Sequence, residues 1–172
     1  MSSTTGTVTF RIATPADLAA IMTIERAAFP SDAWSEAMMA EELASPHSHY
    51  LVAEHAGRLD GYAGLRAPDG ANDGDIQTIA LAETARGRGT GRALLAALLE
   101  QASLRGVRNV FLDVRADNPV AQKLYASEGF REIGTRLNYY AADGVDAIVM
   151  QLDVPAWAAA RAPRTEDAGA CS

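Results

Sequence analysis

Between residues 75 and 102 the apolar pattern changes period, and no other stretch constrains the fold as much. Residues 75–81 alternate in the manner of a strand, whereas Leu94, Leu95, Leu98, Leu99 and Ala102 recur at helical spacing. A turn carrying Arg86, Gly87, Arg88, Gly89, Thr90, Gly91 and Arg92 joins them. A strand that passes through such a turn into a one-sided apolar helix has to lay that helix back on a sheet, so a layered α/β fold follows. The junction also suits an anion. Glycines let backbone approach a ligand, successive N–H groups turn inward, and the helix dipole favours negative charge there. No Gly-Lys-Ser/Thr follows, so it is not a phosphate loop of the Walker kind, and the glycine spacing misses the dinucleotide fingerprint. A solvated surface turn is the alternative.

The rest of the chain extends this pattern. Thr14, Pro15 and Asp17 form a helix entrance with a capping box, after a strand over 8–12. Leu18, Ile21, Met22 and Phe29 then mark an amphipathic helix that ends near Pro30, and a second helix starts at Ser35. Strands over 49–54 and 59–65 make a hairpin about Gly57 and Arg58. Gly106 ends the apolar helix, 110–114 is a short buried strand, and Asn118-Pro119 opens a helix that finishes at Gly129. Residues 130–140 and 145–152 close the fold as a hairpin about Asp143-Gly144. This order predicts a mixed sheet with helices on both faces.

A chain of 172 residues, 48% of them hydrophobic, can bury one core, which places a single domain over 7–153 and a poorly ordered tail over 154–172. The longest apolar run, Ala93 to Leu99, stops at Glu100, far short of the roughly 20 residues of a membrane span. No charged-then-apolar leader opens the chain, so the expected location is cytoplasmic, without a membrane partner. The one cysteine, Cys171, excludes a disulfide framework, and His47 with His49 lacks further ligands, so no metal is expected. A formal charge of −7 argues against nucleic acid, which demands clustered Lys and Arg.

Arg86-x-x-Gly89-x-Gly91 between strand and helix resembles the acetyl-coenzyme A signature of the GCN5-related N-acetyltransferase (GNAT) superfamily. Over residues 9–152 the chain is similar to the ribosomal-protein-alanine N-acetyltransferases of the RimI type. The blocks that carry this are Ile24-Glu25, Phe29-Pro30, Trp34-Ser35, Ile79-Ala80-Leu81, the run from Leu112 to Asn118, Leu124-Tyr125, Gly129-Phe130, Asn138-Tyr139-Tyr140 and Asp146-Ala147. The resemblance implies a mostly antiparallel sheet with a splayed parallel central strand pair. It implies acetyl-coenzyme A as co-substrate, held along the backbone of Ile79, Ala80 and Leu81 and by the amides from Gly87 to Arg92, with Arg86 and Asn118 beside it. The expected acceptor is a protein N-terminus, most specifically the N-terminal alanine of a small-subunit ribosomal protein, and the expected state a monomer or weak dimer.

Acetyl transfer to an amine requires a base for the amine and an acid for the departing thiolate. Tyr125 is the candidate acid, because a phenol with a pKa near 10 stays protonated at pH 7. It lies two helical turns from Asn118, on one face. As an alternative it is a core aromatic. The resemblance assigns the base to Asp113, where the family usually carries Glu; the missing methylene shortens its reach by about 1.5 Å. A structural acid at a strand end is the other reading of Asp113. Phe29, Trp34, Tyr139 and Tyr140 are the expected walls of the acceptor site, or else core and rim aromatics. Acetylation of lysine side chains, small amines or several protein N-termini, and a non-catalytic acetyl-coenzyme A sensor, remain the competing functions.

Overall fold

The computed structural model describes residues 7–162. Strand β1 (Thr9–Ile12) leads through a 3-10 turn at Pro15–Asp17 into α1 (Leu18–Ala28) and then α2 (Glu36–Ala44). Strands β2 (Ser48–His55), β3 (Arg58–Arg66) and β4 (Asp73–Leu81) follow, then α3 (Thr90–Leu104), β5 (Asn109–Arg115) and α4 (Pro119–Glu128). The hairpin of β6 (Arg131–Tyr140) and β7 (Val145–Asp153) precedes α5 (Val154–Arg161).

Element ends fall where the capping chemistry puts them. The Thr14 N–H donates to Asp17 Oδ2 at 2.7 Å, and the Arg11 guanidinium grips the same carboxylate, which holds the Asp17 pKa down to about 2. Ser35 Oγ accepts from the Met38 N–H at 3.1 Å, and Asn118 Oδ1 from the Ala121 N–H at 3.1 Å. Gly106 and Gly129 stop α3 and α4 with φ of +77° and +109°, a region side chains resist.

The seven strands run in the order β1-β2-β3-β4-β5-β7-β6, and only β4 and β5 are parallel. Alternate residues of the sheet feed two cores. Leu51, Ala63, Leu65, Val110 and Leu112 pack under α3, α4 and α5 with Leu94, Leu95, Leu98 and Leu99. Tyr50, Val52, Tyr62 and Ala80 pack under α1 and α2 with Ile21, Met22 and Met39. Each buried Leu, Ile, Val or Met side chain among them contributes on the order of 2 kcal/mol. This is the mixed, mostly antiparallel sheet with helices on both faces.

One expectation needs correction. The sequence places a poorly ordered tail from residue 154 onward, yet Val154–Arg161 forms α5. Asp153 caps it, accepting from the Ala156 N–H at 3.0 Å, and Trp157 is buried in the core with its Nε1–H donating to Glu128 Oε2 at 3.0 Å. The ordered region thus reaches beyond residue 153; residues 163–172, including Cys171, lie outside the described residues.

Candidate active site

Two irregularities in β4 open the sheet. Leu65 registers with Ile76 and Gly64 with Thr78, so Gln77 has no partner on β3 and forms a bulge. The bulge resets the alternation. Ile76 faces the α3 core, while Thr78 and Ala80 face α1. On its other edge β4 pairs with β5 only from Asp73↔Asn109 to Asp75↔Phe111. Beyond that point the strands part, and the edge from Ile76 to Leu81 has no strand partner.

A cleft of about 940 Å³ occupies this opening. Of the residues picked out by sequence, Phe29, Trp34, Ile79, Asp113, Asn118, Tyr125, Tyr139 and Tyr140 all line it. They come from the loop after α1, both splayed strands, the start and body of α4 and the β6–β7 hairpin. Ala80, Leu81 and the segment from Arg86 to Arg92 do not; Ala80 is buried under α1, and the loop lies at the start of α3. Gly87 and Gly89 both have φ of +81°, with open space where a Cβ would sit. Gly89 is the N-cap of α3 and offers no side-chain oxygen, so the first amides of that helix are left to an outside acceptor. Arg92 is less free than the sequence suggested, because it donates to Ser127 Oγ at 2.8 Å and stands 4.0 Å from Glu128.

The two candidate proton carriers sit on opposite sides of the sheet. Leu112 and Val114 point into the α3 core, so Asp113 between them faces the side of α1. Its Oδ1 accepts from Arg136 Nε at 3.2 Å. Tyr125 packs in the α3 core, edge-on to Phe130 at 5.8 Å. Burial, and secondarily the Tyr140 phenol, push its pKa up to about 12. Tyr140 is also raised to about 12, by burial and then by the Asp113 carboxylate.

Three residues of the cleft escaped assignment from sequence. Glu25 is 1% exposed on α1 and accepts from the Tyr62 hydroxyl, from the Trp34 N–H at 3.2 Å and from Thr78 Oγ1 at 3.5 Å. It ties the loop carrying Trp34 to the bulged strand. Burial first, and Asp32 to a lesser degree, raise its pKa against those hydrogen bonds. The signal was present, since Glu25 falls four residues after Ile21 and four before Phe29, in the apolar stripe of α1. Arg115 joins three loops: it pairs with Asp117 at 2.9 Å, Asp143 at 3.0 Å and Asp32 at 3.7 Å, and lies 5.0 Å over the Tyr140 ring. Asp75 opens onto the cleft from β4.

With this geometry in view, the family profile described as acetyltransferase (GNAT) family matches residues 18–130. The chain is similar to the N-alpha-acetyltransferase RimI of Mycobacterium tuberculosis, with 40% identity over 89% of this chain and 97% of that protein. Among solved structures it is similar to the ribosomal-protein-S18-alanine N-acetyltransferase from Escherichia coli, with a TM-score of 0.77 and 32% identity over 86% of this chain and 94% of that one. The Salmonella typhimurium protein yncA, solved with its cofactor acetyl-CoA, shares the fold, with a TM-score of 0.74 and 22% identity over 86% of this chain and 94% of that one.

Proposed function

Because the chain belongs to the acetyltransferase (GNAT) family, we propose that it transfers the acetyl group of acetyl-coenzyme A directly to the α-amine of a protein N-terminus, specifically the N-terminal alanine of a small-subunit ribosomal protein. The observation that carries this reading is the cleft through the sheet, with a carboxylate on the α1 side and a buried phenol on the α3 side. Two reactants that meet in such an opening need no covalent enzyme intermediate. The activity for which the E. coli neighbour is named supports the choice of acceptor, and the ligand of yncA supports the choice of donor.

The amides of Gly87 to Arg92 would take the diphosphate, since α3 leaves its first N–H groups uncapped and the turn is glycine-bent. Arg86 adds positive charge beside it, and Asn118 flanks the chain leading to the thioester. The unpaired edge around Ile79, Ala80 and Leu81 would offer an N–H to the carbonyl oxygen as negative charge grows there. Asp113 would accept the amine proton, and Tyr125 would donate to the thiolate. Phe29, Trp34, Tyr139 and Tyr140 would hold the incoming backbone, with Arg115 tying the loop that carries Phe29 and Trp34 to the turn after Tyr140.

An α-amine suits this site better than lysine. Its pKa near 8 leaves about a tenth neutral at pH 7, and the gap to lysine near 10.4 is worth about 3 kcal/mol in the neutral population. Mass spectrometry of alanine-starting peptides, other-starting peptides and N-blocked lysine peptides incubated with acetyl-coenzyme A tests the reading. Preferential acetylation of the alanine α-amine is expected. Product on lysine alone would overturn the assigned acceptor, and cofactor binding without product would point to a sensor.

A further inference from the structure

An α-amine and the ε-amine of lysine present the same ammonium to a carboxylate, so a base alone distinguishes them only by acidity. The chemical difference lies further along the acceptor. In an N-terminus the carbonyl oxygen of the first residue stands roughly 3 Å from the amine nitrogen, whereas lysine carries only methylenes over that distance. A residue that selects the α-amine therefore has to hold a hydrogen-bond donor beside the group that takes the ammonium.

Arg136 meets this requirement. It registers with Ala147 on β7, and Ala147 registers with Arg115 on β5. Registered partners share a face and alternate residues return to it, so Arg136, Arg115 and Asp113 all lie on the α1 side of the sheet. The β7 residues on that face between them, Ala147 and Val149, are short, which lets the arginine stem cross the strand. Its Nε then donates to Asp113 Oδ1 at 3.2 Å. Guanidinium and carboxylate can pair twice, but here the contact is single, and among the described residues Nη1 and Nη2 donate to no protein group. Arg115 has no such reserve, because Asp117, Asp143 and Asp32 all engage it. The Arg136 side chain lines the cleft, is 58% exposed and has its Cζ 6.0 Å from the centroid of the Tyr139 ring. Its position is fixed from the other side as well. Arg136 pairs with Ala147 and Tyr140 with Val145, so residues 137–139 bulge, and the Asn138 N–H, at a φ of +53°, donates to Asp146 Oδ1 at 2.7 Å.

We propose that Arg136 selects the N-terminus: with the α-ammonium on Asp113, a terminal guanidinium N–H donates to the carbonyl oxygen of the acceptor's first residue, and the Tyr139 ring backs the cation. The inference rests on the reading of the cleft as an α-amine site and deepens it, since recognition becomes a two-point contact with nitrogen and carbonyl oxygen. A lysine ε-amine satisfies the Asp113 half alone. Arg136 takes no part in proton transfer, so its loss falls on acceptor KM and on selectivity and spares cofactor binding.

The test is a cycle between protein and substrate. Wild type, Arg136→Met and Arg136→Gln each receive an alanine-starting peptide, the same peptide with its first amide replaced by a trans-alkene, and an N-blocked lysine peptide. The alkene keeps the amine and the chain length but lacks the carbonyl oxygen. For each pair kcat and KM are measured at saturating acetyl-coenzyme A, and calorimetry of cofactor binding, expected within about twofold of wild type, confirms the fold. Arg136→Met should lower kcat/KM on the alanine peptide about 10- to 100-fold, chiefly through KM, the size expected for a hydrogen bond from a charged donor. On the alkene and lysine peptides the change should stay within about threefold, so the preference for the α-amine over lysine collapses. Any effect of releasing Asp113 from its guanidinium acts on every amine alike and cancels in the cycle. Arg136→Gln, which is shorter and uncharged, should behave as Arg136→Met does. An equal fall on the alanine and alkene peptides overturns the proposal, and so does an alanine rate within about twofold of wild type in both variants. A wild type that acetylates no N-terminus removes the reading beneath it as well, whereas an active wild type without coupling in the cycle removes this inference alone.

Discussion

Replacing Tyr125 by Phe removes one oxygen from a ring that is 9% exposed and packed against Phe130, so the fold should survive and the chemistry should not. The size of the loss follows from the acidity of the phenol. At a pKa of about 12 the group is fully protonated throughout the working range. Against a thiol near 8.5, complete proton transfer is uphill by about 3.5 pH units, or roughly 5 kcal/mol. An exposed phenol near 10 would face only about 2 kcal/mol. A Tyr125 that serves as the proposed acid therefore could not hand over its proton ahead of C–S cleavage and would donate as charge builds on sulfur. That places its contribution at the low end for general acids, about 10²-fold in kcat, or roughly 2.7 kcal/mol of transition-state stabilisation.

Steady-state release of free thiol at saturating peptide and cofactor measures kcat, and calorimetry measures acetyl-coenzyme A affinity. Tyr125→Phe should lower the first about 100-fold and leave the second within about twofold. The pH profile adds an independent check, because a phenol at about 12 loses no proton below about pH 10.5. The wild-type kcat should show no falling limb assignable to Tyr125 up to that pH. A Phe variant within about threefold of wild type would refute the role. A falling limb near pH 10 that vanishes in the variant would refute the shifted acidity.

Two further outcomes follow from buried groups. Because burial raises the folded pKa of Glu25, its contribution is least unfavourable below the unfolded value near 4.3, and stability is lost as pH rises from there toward the folded value. Glu25→Gln removes that loss while keeping an acceptor for the Trp34 N–H, so its melting temperature relative to wild type should be more favourable at pH 8 than at pH 4; an equal difference at both would refute ionisation at this site. Trp157→Ala empties a core position and removes the indole donor to Glu128, which should cost about 3 kcal/mol. The expected fall in melting temperature is roughly 6–12 °C by calorimetry, and no change would show that α5 does not hold the core.

What could be read from sequence was mostly local. Thr14-Pro15-Ala16-Asp17 and Asn118-Pro119 carry their helix starts in their own side chains, and Gly106 and Gly129 carry their stops in positive φ. The same grammar was available at Asp153-Val154-Pro155, an acid cap with proline in the first turn, but the alanines that follow show no apolar stripe. Only a distant partner reveals that helix: Trp157 reaches Glu128, and Arg161 reaches both the Trp157 ring and Glu128. The site divides the same way. Asp113 and Tyr125 stood out because their strand and helix are recognisable blocks. Asp75 did not, because a strand residue acquires a neighbour only when topology decides which strands adjoin.

That topology also explains how the sheet can open without losing the geometry of its carboxylates. β5 is registered with β4 over three pairs but with β7 over seven, from Asn109↔Asp153 to Arg115↔Ala147. The hairpin strand inserted between β5 and β6 therefore fixes the register of Asp113 opposite Val149, while the β4 side is free to part. A shift of one residue along β7 would turn Asp113 into the α3 core and bring Leu112 or Val114 to the amine side. Asp75 is fixed differently, by β3 through Arg66 and by the bulge at Gln77 just beyond it. The two carboxylates thus converge from two separately anchored half-sheets, and the distance between them is set where the halves separate, at Asp75↔Phe111. Widening that junction should weaken proton abstraction before it weakens cofactor binding, because the backbone amides from Gly87 to Arg92 are carried by the β4–α3 half, which this turn ties to α4 through the Arg92 side chain.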